Sequence, residues 1–254
     1  MSDYQPPDPY ALTRREQAQV LPRRFYKLVS TAAQADGHVV LLDGKPARRS
    51  DGAALVLPDA GLAGLLAAEW AAQATHIDLA SMPLTSLAMR ALAASPEQCQ
   101  QWHDDILAYA GSDLLCYRAA HPAALQALQA RHWDGPLAWA RAAFHAPFAV
   151  TTGISAIEQP AAALQGVREH LAPARDAPLR LAGLHAMTAL LGSALLALMC
   201  GAGALSLDAA WSAAHVDEDF QIAQWGQDEE ARQRRDARAR DFAAAARLAR
   251  GHEA

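Results

Sequence analysis

The sequence predicts an α+β protein, in which a small N-terminal β-meander/α part is followed by a mostly α-helical C-terminal domain. Three Asp-Gly pairs separate short apolar runs between residues 23 and 58, and such pairs suit tight turns that need positive φ. Hydrophobic residues make up 52% of the 254 residues, but aromatic residues make up only 6%. Much of the apolar content is alanine, which is a strong helix former. From Pro160 onward the pattern is helical.

The N-terminal strands are predicted from the apolar runs between these turns. We expect them at residues 25–29, 38–42 and 54–57, each bounded by turn-forming residues. Together they predict a meander of short strands.

Helices are predicted to follow the meander. Asp59 is a suitable N-cap for a helix that carries Leu62, Leu66 and Trp70 at helical spacing. Ser95-Pro96-Glu97 predicts a second helix start, because it combines a capping hydroxyl, a proline in the first turn and an acid that meets the helix dipole. His103, Asp104 and Asp105 are expected on the solvated face of that second helix.

The middle of the chain gives weaker signals. Residues 112–118 fit a strand or a helix equally well. Pro122 predicts a helix through Trp133, and Asp134 is a candidate cap for a separate helix through Trp139. Residues 148–152 have the composition of a strand.

The segment 181–207 contains no charged residue and is long enough to cross a membrane. Gly183, His185, Thr188 and the pair Gly192-Ser193 dilute its hydrophobicity, and no aromatic belt flanks it. These features favour a buried core helix, with Ser193 in its middle, over a membrane span.

The last segment, 228–250, is expected to form a solvated, charged helix. Asp228/Arg232, Glu230/Arg234 and Asp236/Arg240 are spaced four apart with the acid first, which is the stabilising order.

The chain is divided here into a flexible tail (residues 1–20), an N-terminal α/β domain (21–145) and a C-terminal helical domain (146–254). A formal net charge of -5 argues against a nucleic-acid partner. Three dispersed cysteines and the lack of an apolar leader indicate a cytoplasmic protein.

The most informative segment is the acidic run Asp217-Glu218-Asp219. Helical spacing places Glu218 in a stripe with apolar and aromatic neighbours, which are Leu207, Trp211, His215, Ile222 and Trp225. A carboxylate in such a stripe is costly unless it is paired or covered by a partner. An internal salt bridge and a binding surface are both consistent with this pattern.

The sequence offers two enzyme hypotheses, and both lack part of the required motif. A metal-dependent enzyme could use the cluster of His215, Asp217, Glu218 and Asp219, but no second half of a metal site is visible. Ser193 lacks the strand-turn-helix context of a nucleophile. No phosphate-binding glycine motif is present, and we expect no cofactor.

Five tryptophans occupy amphipathic positions and are expected in the core, although one or two of them could line a recognition surface. They are Trp70, Trp133, Trp139, Trp211 and Trp225.

Several short motifs, taken in order, resemble the assembly chaperones that hold the alpha subunit of the soluble catalytic sector of F-type ATP synthase. The first motifs are Leu21-Pro22-Arg23-Arg24-Phe25-Tyr26-Lys27, Leu42-Asp43-Gly44-Lys45-Pro46, Glu69-Trp70 with Gln73, and Met82-Pro83-Leu84-Thr85. The middle of the chain contributes Asp113-Leu114-Leu115-Cys116-Tyr117-Arg118, and Gln129 with Trp133-Asp134. The last motifs are Gly192-Ser193, Asp217-Glu218-Asp219-Phe220-Gln221 and Trp225-Gly226.

The resemblance implies a non-enzymatic, monomeric chaperone that binds the unassembled alpha subunit and shields its beta-facing surface. The important acid of the family carries over to Glu218, and the expected partner-binding residues are Glu218, Asp217, Asp219, Gln221 and Trp225. Motif residues expected to have a structural role are Trp70, Pro83, Asp113 and Trp133.

Overall fold

The computed structural model describes residues 21–153 and 155–250. The strands are β1 (Val29–Gln34), β2 (Gly37–Leu42), β3 (Lys45–Pro46), β4 (Val56–Leu57), β5 (Tyr117–Arg118) and β6 (Thr151–Thr152). The α-helices are α1 (Ala60–Ala71), α2 (Pro83–Leu92), α3 (Pro96–Gly111), α4 (Ala123–Ala143), α5 (Ala161–Leu171), α6 (Pro178–Leu191), α7 (Ala194–Gly201), α8 (Leu207–Ala214), α9 (Val216–Trp225) and α10 (Glu229–Arg250). The predicted α+β class is confirmed. The expected tail, residues 1–20, lies outside the described residues.

The N-terminal sheet is built around β2, which pairs antiparallel with β1, β3 and β4. The turn at Asp43 and Gly44 has φ of 49° and 78°, as the Asp-Gly pair predicts. The predicted first strand, residues 25–29, is wrong: pairing begins only at Val29. Tyr26 turns inward, where its hydroxyl donates to the carbonyl of Trp70 at 2.7 Å.

The junction between α1 and α2 explains two of the sequence motifs. Glu69 of α1 accepts the backbone N–H groups of Leu84 and Thr85 at 2.9 and 2.7 Å, and so caps the first turn of α2, which Pro83 opens. Gln73 accepts the N–H of Asp78 at 2.8 Å and fixes the connector between the helices.

The middle of the chain is more continuous than the sequence suggested. Residues 112–118 form a short 3-10 turn followed by β5, which pairs parallel with β6. The two helices expected on either side of Asp134 are one helix, α4, with Pro136 inside it. His103, expected in solvent, is buried on the inner face of α3.

The apolar segment 181–207 is also divided differently. Instead of one long helix, α6 ends at Gly192, whose φ is 65°, and α7 begins with Ser193 as its N-cap. Within residues 21–153 and 155–250, no helix combines the length and hydropathy that a membrane crossing needs.

The last helix, α10, is buried along its second half, which corrects the expectation of a solvated helix. Phe242, Ala245 and Ala249 join the helical core, while Ala244 and Leu248 join the core beneath the N-terminal sheet. The helix therefore connects the two cores. The proposed boundary between residues 145 and 146 stays a prediction.

A close backbone approach locks α10 onto α6. A Cβ atom at Gly183 would lie 2.5 Å from the backbone nitrogen of Ala249 and 2.6 Å from the carbonyl oxygen of Ala245. Only glycine permits this contact without a shift of one helix.

A buried carboxylate fixes the start of α7. Asp113 is fully buried and accepts the hydroxyl of Ser193 at 2.8 Å and the N–H groups of Leu115 and Leu195 at 3.1 and 3.0 Å. Burial raises the pKa of Asp113 to about 6, although these hydrogen bonds act in the opposite direction.

We predict that Gly183→Ala lowers the free energy of unfolding by about 1–3 kcal/mol, because the new methyl group overpacks the contact between α6 and α10. Gly64→Ala in α1 is the matched control, since a Cβ there meets nothing within 4 Å. It should stabilise the protein by up to about 1 kcal/mol. Urea unfolding measures both, and equal effects of the two changes would contradict the close approach.

The Asp113 carboxyl should make stability depend on pH. Because its folded pKa of about 6 exceeds the unfolded value, the folded state holds the proton more tightly, and the stabilisation present at pH 4 is lost as pH rises through 6. Relative to Asp113→Asn, the wild type should lose up to about 3 kcal/mol of unfolding free energy between pH 4 and 7. A constant difference between the two proteins across this range would refute the assignment.

Candidate functional site

The candidate site is one face of α9. Glu218, Gln221 and Trp225 follow one another at helical spacing and therefore share this face. Trp225 is 77% exposed, so the expectation that it lies in the core is wrong. Gln221 is exposed and Glu218 is half-buried. The face thus combines an aromatic side chain in solvent with a carboxylate at its inner edge.

Asp217 turns toward the protein interior. The side-chain amide of the buried Gln129, on α4, donates to its carboxylate at 2.8 Å. The other end of the same amide accepts the N–H of Ala119 at 2.8 Å, so both polar ends of Gln129 are satisfied. Asp217 therefore anchors α9 to α4.

Asp219 is paired as well. Its carboxylate lies 2.5 Å from the guanidinium of Arg235 on α10, and this pair ties α9 to the helix that follows it. The pair is partly exposed, so it stabilises the fold only modestly.

Glu218 differs from both neighbours. Among residues 21–153 and 155–250, its carboxylate has neither a hydrogen bond nor an ion pair. Its charge is therefore available to a group outside the described part of the chain. The alternative of an internal salt bridge to an arginine is therefore not found in the described part of the chain.

His215 forms the junction between α8 and α9 and is buried. Its Nδ1 atom lies 2.8 Å from the carbonyl oxygen of Trp211, so this nitrogen carries the proton and donates. Burial lowers the pKa of His215, and nearby Arg235 and Arg238 lower it further, whereas the hydrogen bond to Trp211 and the charge of Glu218 act in the opposite direction.

The metal-enzyme hypothesis is not supported. The protonated Nδ1 of His215 is committed to a carbonyl, Asp217 to Gln129, and Asp219 to Arg235. In the part of the chain that the structure describes, no group of three or more His, Cys, Asp or Glu side chains could hold a metal ion.

The motif residues expected to be structural lie apart from the exposed face. Trp133 is fully buried on α4, and its indole N–H donates to the carbonyl of Ala213 in α8 at 2.7 Å. Trp70 and Asp113 are buried, and Pro83 opens α2. Of these, Trp133 bears on the site, because it holds the helix that leads into α9.

The supporting contacts of α9 were not predicted from the sequence. Gln129 was noted only as part of a motif, and Arg235 was not singled out. The partners are separated by 88 residues in one case and belong to different helices in the other, so no local spacing reveals them.

Comparisons with known proteins agree with this fold. A sequence profile described as ATP12 chaperone protein matches residues 23–141. The solved structure of Atp12 from Paracoccus denitrificans is 34% identical, with a TM-score of 0.80 over 89% of this chain and 97% of that chain. A structure of an aspartate-to-lysine mutant of P. denitrificans Atp12p is 33% identical, with a TM-score of 0.81 over 90% and 97%.

A third similar structure is the Atu1473 protein of Agrobacterium tumefaciens. It is 40% identical, with a TM-score of 0.85 over 96% of this chain and 91% of that chain. The chain belongs to the ATP12 chaperone family, whose members are assembly chaperones of F-type ATP synthase.

We predict that Gln129→Ala loosens α9, because it leaves the N–H of Ala119 and the carboxylate of Asp217 without their buried partner. The free energy of unfolding should fall by about 1–3 kcal/mol. Gln126→Ala, one turn earlier on the exposed side of α4, is the matched control and should cost much less. Amide exchange of α9 should accelerate only in Gln129→Ala, and unchanged exchange would contradict the anchoring role.

Proposed function

We propose that this protein binds the unassembled alpha subunit of the F-type ATP synthase catalytic sector and shields its beta-facing surface during assembly. The observation that carries the proposal is Glu218, a half-buried carboxylate without a partner among the described residues, on the same helix face as the exposed Trp225. Membership of the ATP12 chaperone family supports this assignment.

The chemistry of the α9 face suits an unassembled subunit. Such a subunit exposes apolar surface that a finished complex would cover. Trp225 offers a large apolar side chain of the kind that anchors protein interfaces. Glu218 offers a negative charge to a basic group of the client.

The three remaining predicted contact residues have different parts in the proposal. Gln221 lies between Glu218 and Trp225 and supplies a neutral polar contact. Asp217 and Asp219 keep their internal partners and hold α9 in place, while their negative charges add to the field that a basic client group meets.

We further propose that the protein acts as a monomer in the cytoplasm, without catalysis. Capture must be reversible, because the beta subunit has to replace the chaperone. A contact of moderate area with a polar rim fits this need.

The test is capture of isolated alpha and beta subunits by the purified chaperone. We predict that Glu218→Lys and Glu218→Gln remain folded and weaken capture of alpha by ~2–5 kcal/mol for the charge reversal, and by less for the neutral change. Glu158→Lys is the matched control, since Glu158 is exposed in a loop outside α9 and undergoes the same change in charge.

Two results would count against this function. A folded Glu218→Gln that captures alpha as tightly as the wild type would remove Glu218 from the contact. A wild-type chaperone that ignores alpha, or prefers beta, would overturn the proposed client.

A further inference from the structure

The motif Leu21–Lys27 is not explained by the α9 site. Within and after it, two large apolar side chains stand in solvent: Phe25 is 73% exposed and Leu28 is 74% exposed. Tyr26, between them, is buried against Trp70. The inward Tyr26 fixes the backbone, so Phe25 and Leu28 are held outward by the fold itself.

Phe25 and Leu28 lie directly before β1, which is an edge strand of the N-terminal sheet. β1 pairs only with β2 among the described strands. The N–H of Asp43 donates to the carbonyl of Leu28 at 2.9 Å, and Gln34 pairs with Gly37 across a two-residue turn. Because hydrogen-bonded pairs alternate along an antiparallel ladder, the N–H and C=O groups of Val29, Thr31 and Ala33 point away from β2.

No described residue forms a hydrogen bond with the outward N–H and C=O groups of Val29, Thr31 and Ala33. Thr31 and Ala33 are exposed, so this edge is accessible. The strand, Val29–Gln34, carries no charged residue and no proline. It therefore lacks the devices with which natural edge strands usually prevent pairing with another chain.

The charge around Phe25 and Leu28 is locally positive, in contrast to the net charge of -5 for the whole chain. The exposed basic residues Arg23 and Lys27 flank Phe25 in the chain, and Lys27 is one of only two lysines in the sequence. The carboxylate of Asp43 is occupied by the N–H groups of Lys27 and Leu28.

We propose that Phe25, Leu28 and the edge of β1 that no described strand pairs with form a second client-binding surface, which takes an extended, apolar polypeptide segment flanked by acidic residues. The segment adds a strand to β1, and its apolar side chains pack against Phe25 and Leu28. This inference rests on the proposed function, because the segment belongs to the same alpha-subunit client that α9 contacts.

The open hydrogen-bonding groups favour a polypeptide over a lipid surface. Apolar and basic side chains together also suit an anionic membrane, but lipid offers no row of alternating donors and acceptors spaced like a strand. An extended backbone does. The positive surroundings then select a segment with acidic flanks.

The experiment compares capture of isolated alpha subunit by four variants of the full chain. Thr31→Pro removes one outward N–H and leaves the ladder with β2 intact, since that N–H is not part of it. The double variant Phe25→Ser/Leu28→Ser removes the apolar contacts. Each of these two variants should weaken capture about tenfold or more, which is the effect expected for one or two interfacial contacts.

The control variant Val150→Ser truncates an exposed apolar residue in another part of the chain and should not weaken capture. Glu218→Lys is measured in parallel.

Amide exchange gives a readout that does not depend on any variant folding. In the wild-type complex with alpha, the outward amides of Thr31 and Ala33 should become protected, while the amides of Ser30 and Ala32, which already pair with β2, should change less. Unprotected amides at Thr31 and Ala33 in a complex that is otherwise formed would overturn the inference.

The other outcomes are also decisive. If Glu218→Lys weakens capture while Thr31→Pro and the double variant bind like the wild type, the second surface is refuted and the proposed function stands. If the wild type captures no alpha, both fail. If Thr31→Pro converts a dimer into a monomer, or the double variant loses only binding to phosphatidylglycerol vesicles, the edge serves a second copy or a membrane, and the client assignment is overturned.

Discussion

In the helical part of the protein, one buried carboxylate must be supplied with hydrogen-bond donors, and the arrangement of the helices depends on this requirement. Asp113 is fully buried without a cationic partner among the described residues, and its donors come from Leu115, Ser193 and Leu195. The hydroxyl of Ser193 also accepts the N–H of Leu196 at 3.1 Å, so capping of α7 and solvation of Asp113 are one network. This network ends the apolar run at Gly192 and sets where α7 begins, and thereby where the chain continues into α8 and α9.

Several contacts hold α9 in place, and none of them involves the side chain of Glu218. Trp133 fixes the end of α8, Gln129 engages Asp217, and Arg235 engages Asp219. Each of these interactions satisfies a polar group that would otherwise be costly. Glu218, between the two engaged acids, receives no such partner in the described residues, while Trp225 stands in solvent at the end of the same face. A helix face that carries an exposed aromatic residue and a charge without a partner among the described residues is suited to binding another protein. The chain belongs to the ATP12 chaperone family, whose members are assembly chaperones of F-type ATP synthase.

Local signals predicted much of the fold. The predicted caps at Asp59 and Ser95 are confirmed, because a capping side chain acts within its own helix turn. The break at Gly192 was not predicted, although a glycine followed by a capping serine is a local signal of one helix ending and another beginning. Only the contact of Ser193 with Asp113, 80 residues away, required the tertiary structure. Periodicity alone left Trp225 in the core, whereas the family resemblance made it a partner-binding residue, because periodicity identifies a face but not what covers it. The burial of α10 was hidden because alanine and glycine allow close packing without a strong apolar pattern. For the candidate site, the choice of α9 and Glu218 came from the sequence and stays a prediction, whereas the internal partners of Asp217 and Asp219 required the tertiary structure.

Photo-crosslinking from the α9 face tests the central claim most directly. A photoreactive amino acid placed at Gln221, which lies between Glu218 and Trp225 on that face, should crosslink to isolated alpha subunit, and the crosslinked peptides should map to the surface that beta later covers. The same probe at Gln98, exposed at the start of α3, is the comparison. Efficient crosslinking to alpha from Gln221 and not from Gln98 is the expected result. Crosslinking from Gln98 alone, or peptides from Gln221 that map away from the beta-facing surface, would contradict the assignment of α9 as the client-binding face.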